Sequence, residues 1–186
     1  MIFVGIDPGK TGALAFIDEA SRVQQVMATP MRAGASGRPE YDLMAIRQEL
    51  RAWTRDGAQL HATVEKLHAL PPRFNRAGGA QQQGGSAANF ARGEAQGWAW
   101  MLAGLGVPCL LALPQVWQRQ LLAPAVGDET TKARSIAAAR RLWPSVDLRR
   151  TARSKLDCDA FADALLLAEF GRRRALGGEV FAAVAR

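Results

Sequence analysis

The sequence predicts an α/β fold in which a mixed β-sheet is flanked by α-helices, and three observations point there. The chain opens on an apolar run, Ile2-Phe3-Val4-Gly5-Ile6, that stops at Asp7-Pro8-Gly9, the pattern of a buried strand closed by a turn. Two further strand-like stretches, Gly12 to Ile17 and Val23 to Met27, follow at once. Only Asp18 to Arg22 joins them, which is short enough for an antiparallel hairpin. Beyond residue 40 the pattern becomes helix, strand, helix, the order that layers helices on a sheet.

Each later element has its own signal. Pro30 to Pro39 is rich in Gly, Pro and Ser and reads as a loop. Tyr41 to Arg55 places Leu43, Met44, Ile46, Leu50 and Trp53 near helical spacing, with Asp42 in the first turn. Ala62-Thr63-Val64-Glu65 is a short strand that ends, like the first, in a carboxylate. Leu70 to Gly85 is the longest irregular stretch, and it carries Arg73, Phe74, Asn75 and Arg76. Loops of that length in compact domains are usually functional or disordered. Ser86 is expected to cap a helix running to about Leu105, followed by a strand over Val107 to Leu113 and a short helix over Gln115 to Leu122. Asp128 is expected to open a basic helix that ends before Pro144. Residues 145–156 form a basic connector, and Asp159 to Arg173 is the last helix. Neither a repeat nor a linker divides the chain, which predicts one domain over 1–186 with a flexible tail over 175–186.

The helix from Ser86 has two faces. Ala91, Ala95, Trp98, Met101, Leu102 and Leu105 form the apolar stripe expected against the sheet, while Gly93, Gly97, Trp100 and Gly104 lie opposite. Glycine weakens a helix, so three on one face predict close backbone approach, either by a second protomer or by a neighbour in the same chain.

Composition narrows the function. A net charge of +7 and a pI near 10.4 favour a polyanionic partner. The charge is uneven: Lys132, Arg134, Arg140, Arg141, Arg149, Arg150, Arg153 and Lys155 face the single acid Asp147 between residues 132 and 155. A merely solubilising surface is the plain alternative. No apolar run approaches the roughly 18 residues that span a bilayer, and the N-terminal run breaks at Asp7 without the charged start of a signal peptide. Cys109 and Cys158 resemble neither a disulfide framework nor a zinc set, so a reducing cytoplasm is expected.

Four acids stand at convergent points: Asp7 and Glu65 at strand ends, and Asp159 and Asp163 four residues apart on one helix face. Asp163 is embedded in Ala160-Phe161-Ala162 and Ala164-Leu165-Leu166-Leu167-Ala168, so its carboxylate meets a packed surface, which is costly unless a positive partner is present. A divalent cation resolves the burial and the repulsion together. Oxygen ligands without His or Cys favour Mg²⁺ or Mn²⁺. Singly, Asp7 also reads as a turn-former, Glu65 as an exposed strand end and Asp159 as a helix cap.

Gly5-Ile6-Asp7-Pro8-Gly9 with Gly12, then Val64-Glu65-Lys66, then Asp159-x-x-x-Asp163-Ala164-Leu165-Leu166-Leu167-Ala168 resemble the RuvC family of Holliday junction resolvases. The phage and prophage branch is the nearer likeness, through Val64-Glu65-Lys66-Leu67-His68 and Pro114-Gln115-Val116-Trp117. The resemblance spans nearly the whole chain in order. It implies an RNase H-like fold, a homodimer, and symmetric paired nicking of four-way DNA in a bacterial or phage-infected cell. It also implies two-metal hydrolysis, with ions roughly 3.5–4 Å apart. Asp7 would bridge them, Glu65 and Asp163 would complete one side each, and Asp159 would assist. Many members place the penultimate ligand where this chain has Ala160, so Asp159 is the expected fourth ligand and Asp157 the reserve. Lys132 is expected to steady the phosphate, with Lys66 a weaker candidate. His68 and Phe74 are the candidates for stacking into the junction, Phe74 flanked by Arg73 and Arg76. The DNA-binding set is completed by Arg134, Arg140 and Arg141.

Rival readings are weaker. Gly9-Lys10-Thr11 suggests a phosphate-binding loop, but three residues rather than four separate Gly5 from Gly9. An actin-like ATPase needs two such domains. A catalytically inactive DNA-binding protein of the same fold, and a nuclease for other branched DNA or for RNA–DNA hybrid, remain as alternatives.

Overall fold

Alternation along the first strand decides which residue meets which layer. The computed structural model describes residues 1–66, 73–74, 80–81 and 85–177, with the backbone alone for 56, 73–74, 80–81 and 85–92. Strand β1 (Ile2–Asp7) pairs antiparallel with β2 (Ala13–Asp18), which pairs antiparallel with β3 (Val23–Ala28). Two short strands, β4 (Met31–Ala33) and β5 (Pro39–Tyr41), form a separate ladder, so part of the expected Pro30–Pro39 loop is a hairpin. Helix α1 (Leu43–Ala52) starts where Asp42 accepts the Ala45 N–H as its N-cap. Strand β6 (Leu60–Glu65) then returns parallel to β1.

Two short strands within the long irregular stretch, β7 (Arg73–Phe74) and β8 (Ala80–Gln81), run antiparallel to each other. Helix α2 (Gly85–Gly104) begins one residue before the expected cap, placing Ser86 inside it. Strand β9 (Cys109–Ala112) joins β6 in parallel and is followed by α3 (Pro114–Leu121), with Pro114 at the helix start where its missing N–H costs nothing. Helix α4 (Thr131–Leu142) is capped by Thr130, whose hydroxyl accepts from Ala133, and not by Asp128. The last helix, α5 (Asp159–Leu176), carries the chain beyond Arg173 through Ala175 and Leu176; residues 178–186 lie outside the described residues.

The main sheet therefore has the order β3-β2-β1-β6-β9, antiparallel on one side and parallel on the other. Side chains alternate across it. Val4, Ile6, Ala62 and Val64 face a layer with Ile46 and Leu50 of α1 and Trp98 and Leu102 of α2. Phe3, Ala15 and Ile17 face the other layer, with α5, Ala138 and Ala139 of α4, and Trp117 of α3. On that second face a Cβ at Gly5 would collide with the Ala164 carbonyl oxygen and the Ala168 amide. Backbone touches backbone there, and α5 lies directly on β1. Among the described residues Cys109 is buried, Cys158 is half-buried, and both are free thiols.

Candidate active site

The period of two that sends Val64 and Ile6 to one layer sends Glu65 and Asp7 to the other. Ile6 pairs with Val64 across the parallel ladder, so the two acids follow at neighbouring strand ends, on the α5 side. Pro8 ends the strand, and the chain folds back sharply: Gly12 N–H donates to Gly9 O at 2.9 Å, and Gly9 has φ 137°, a conformation only glycine adopts without strain. A Cβ at Gly12 would collide with the Asp7 carbonyl oxygen, which makes that glycine obligatory too. Helix α5 then brings Asp159 and Asp163, one turn apart, onto the same end of the sheet.

The four acids act on one another. Burial raises the Asp7 pKa from its ordinary range to about 8, and the charges of Asp163, Glu65 and Asp159 push the same way, against the lowering influence of Arg150. Burial and Asp163 raise Glu65 to about 7, opposed by a hydrogen bond from Trp117. Burial likewise raises Asp163 to about 6. Asp159 goes down, chiefly because Lys132 donates to it: Nζ lies 2.6 Å from Asp159 Oδ2, with the Lys132 side chain 76% exposed. Strongly perturbed carboxylates gathered at one place are the electrostatic signature of a functional site.

Oxygen donors alone fit a hard divalent cation. Asp163 Oδ1 is buried and has no hydrogen-bond partner among the described residues; the nearby Ser135 hydroxyl lowers the Asp163 pKa but completes no hydrogen bond of ordinary geometry. A buried, unpaired carboxylate oxygen is costly, and a cation would offset that cost. As they stand, no three His, Cys, Asp or Glu side chains among the described residues close into a ready coordination group.

The remaining sequence candidates separate clearly. Asp157 accepts from Nε and Nη2 of Arg140, at 2.8 and 2.7 Å, so both its oxygens are engaged in an ion pair. Arg134 donates twice to Ala123 O and Arg141 to Leu121 O, so these guanidinium groups, with Arg140, brace the chain internally. Lys66 is exposed at the end of β6, its backbone N–H bonded to Ala112 O. His68 and Arg76 lie outside the described residues, as do the side chains of Arg73 and Phe74.

Three contributors carried no role in the sequence reading. Trp117, fully buried, donates its Nε1 to Glu65 Oε1 at 3.0 Å and orients that carboxylate. The Pro114-Gln115-Val116-Trp117 motif was a signal for it, without showing what the indole does. Tyr41 Oη donates to Glu94 Oε1 at 2.7 Å, and the Gly9 amide faces the same hydroxyl, tying the Asp7 turn to α2. Arg150 donates to the Thr11 and Gly12 carbonyl oxygens of that turn.

Comparison with known proteins gives the architecture a name. The chain matches the structure of Thermus thermophilus RuvC in complex with a Holliday junction substrate over 96% of this chain and 97% of that one, with TM-score 0.57 and 20% sequence identity. The fold is that of RuvC. Its RNase H-like mixed sheet is the one the opening strand, the hairpin and the parallel β1–β6 pair build here. A second structure of Thermus thermophilus RuvC gives TM-score 0.48 and 18% identity over 96% and 98% of the two chains. No family model and no curated protein matches the sequence.

Proposed function

We propose that this chain is a divalent-metal-dependent endonuclease that resolves four-way DNA junctions by paired nicks, working as a homodimer. The observation that carries the reading is the meeting of Asp7, Glu65 and Asp163 on the α5 side of the sheet, each raised in pKa chiefly by burial and further by neighbouring acids, with a buried Asp163 oxygen that has no partner among the described residues. The RuvC fold supports it, since the matched protein was solved on a Holliday junction substrate. The net charge of +7 suits a polyanion.

Asp7, Glu65 and Asp163, assisted by Asp159, would hold two Mg²⁺ or Mn²⁺ ions. Cations bound there act as Lewis acids on the scissile phosphate and make water acidic enough to attack at neutral pH. Loading requires the carboxylates to give up their protons, which their raised pKa values delay until a cation competes for the same oxygens. Trp117 fixes which Glu65 oxygen remains available. Lys132 neutralises Asp159 in the free protein and, being exposed, exchanges that partner for the phosphate. Lys66 and Lys132 contact the DNA backbone, so affinity falls with added salt. Phe74 or His68 stacks into the opened junction, with Arg73 and Arg76 on the flanking phosphates.

An immobile four-way junction with Mg²⁺ should yield paired nicks, and Asp163→Asn should yield none. Cutting of flaps or RNA–DNA hybrid with the junction left whole would remove the substrate class; no metal-dependent cutting of any of them would remove the nuclease reading. Trp117→Phe keeps most of the buried ring but deletes the N–H. It should weaken metal-dependent nicking about 10–100-fold with little change in Tm, as loss of a ligand-orienting hydrogen bond does.

The dimer reading rests on α2. Trp100 is 69% exposed, and a Cβ at Gly93, Gly97 or Gly104 would meet nothing within 4 Å, so close approach by this chain itself is ruled out among the described residues. Beside this face, Tyr41, Leu43, Ile46, Gly97, Trp98 and Met101 line a cavity of about 700 Å³. A second copy packed there in isologous fashion would cover both. Trp100→Glu should then sediment as a monomer where the wild type sediments as a dimer; identical profiles would place the interface elsewhere.

A further inference from the structure

A side chain from the α4–α5 connector reaches the turn that carries Asp7. Arg150 donates from Nη2 to the Thr11 carbonyl oxygen, and to that of Gly12 at 3.2 Å. Its guanidinium carbon lies 5.8 Å from the ring centroid of Phe161, which is buried on α5 two residues before Asp163. One planar group thus touches the turn on one side and the helix on the other. We propose that Arg150 is a positioning residue of the carboxylate site, locking the Asp7–Gly12 turn onto α5 so that Asp7 keeps its place relative to Asp163. The consequence for metal binding rests on the nuclease reading; the anchoring contact does not.

The base of this anchor is braced. Leu148 is buried in the core and its carbonyl accepts the Cys158 N–H at 2.8 Å, while Arg149 and Asp157 form an antiparallel bridge across the connector. Arg150 therefore stands on a closed hairpin whose two ends belong to α4 and α5. On the other side, Gly12 O also accepts the Thr29 N–H at 3.1 Å, so the turn is tied to the sheet as well. Nη2 alone meets both carbonyls while the guanidinium plane lies over the Phe161 ring; a lysine ammonium, one bond shorter and without a planar face, cannot do both at once.

Charge and position predict opposite effects, which makes the proposal testable. Arg150 is a cation beside the Asp7 carboxylate. Deleting a cation near a metal site strengthens metal binding if charge alone matters. Losing the turn's position weakens it.

Arg150→Gln and Arg150→Lys in the full chain separate the two. Hydrogen exchange of amides 9–12, Mn²⁺ affinity by calorimetry without DNA, and Tm are the readouts. In both variants, exchange in the turn should speed up about tenfold or more and Mn²⁺ should bind about tenfold more weakly, with Tm within a few degrees of wild type. Failure of Lys to rescue distinguishes the reach and planar face of the guanidinium from its charge. Unchanged exchange in the turn overturns the proposal. So does Mn²⁺ binding that tightens in Arg150→Gln and stays at wild-type strength in Arg150→Lys. A wild type that binds no Mn²⁺, with turn exchange still raised in both variants, supports the anchor and sinks the metal reading instead.

Discussion

Asp7→Asn should abolish junction nicking, by at least about a thousandfold, while leaving junction binding at wild-type strength or above. The carboxylate sits where β1 ends against α5, shares its surroundings with Glu65 and Asp163, and bears the largest rise in pKa of the three. An amide of the same shape keeps the fold and the basic surface but removes the charge that a cation needs. Nicking gels and gel-shift titrations in Ca²⁺ measure the two halves of this outcome. Nicking at the wild-type rate would dismiss Asp7 as a ligand.

The same substitution has a stability consequence of fixed sign. In the metal-free protein Asp7 titrates near 8 when folded, against an ordinary value of 3.8. Between those two values the unfolded chain has lost the proton and the folded chain still holds it, so stability falls as pH rises from about 4 to about 8. Glu65 and Asp163 add to the fall up to about 7 and about 6. Metal-free Asp7→Asn should therefore melt a few degrees above wild type at pH 8, and lose less stability between pH 5 and pH 8. Mg²⁺ should raise the wild-type Tm at pH 8 and the mutant's far less, which calorimetry reads directly.

Gly5→Ala should cost about 3 kcal/mol or more, at the upper end of what overpacking does. The added methyl would collide with the Ala164 carbonyl oxygen and the Ala168 amide, backbone atoms of a buried helix that has no rotamer by which to yield. Relief requires α5 to lift off β1, and Asp163 would then move away from Asp7. Urea denaturation of Gly5→Ala should show a lowered midpoint, together with weakened metal binding in whatever folds. A mutant as stable as wild type would mean that α5 does not lie on β1 as closely as this.

Much of the site was legible in the sequence because its cause is local. A period of two places Asp7 with Phe3 and Gly5, and Glu65 with Thr63, so two strand ends ending in acids already face the same way if the strands are neighbours. Asp159 and Asp163 share a helix face by spacing alone. Boundaries were read less well where caps decide them: Thr130, not Asp128, opens α4, because the residue whose side chain reaches the free N–H groups sets the start. The Pro30–Pro39 stretch looked like a loop because its strands are three residues each, too short for a periodic signal. The basic residues have a further part that no local pattern shows: Arg134, Arg140 and Arg141, expected at the DNA, each meet an acceptor within the chain as well.

The sequence by itself determined the mixed sheet with its covering helices and the helix face that Asp159 and Asp163 share, since hydrophobic period and residue spacing act over a few residues at a time. Only the tertiary structure decided what holds the four carboxylates in place. Trp117 meets Glu65 across 52 positions and Arg150 meets Thr11 across 139, and no local pattern encodes partners that far apart. They meet because backbone contact at Gly5 seats α5 on β1, bringing the last quarter of the chain to the turn at its beginning.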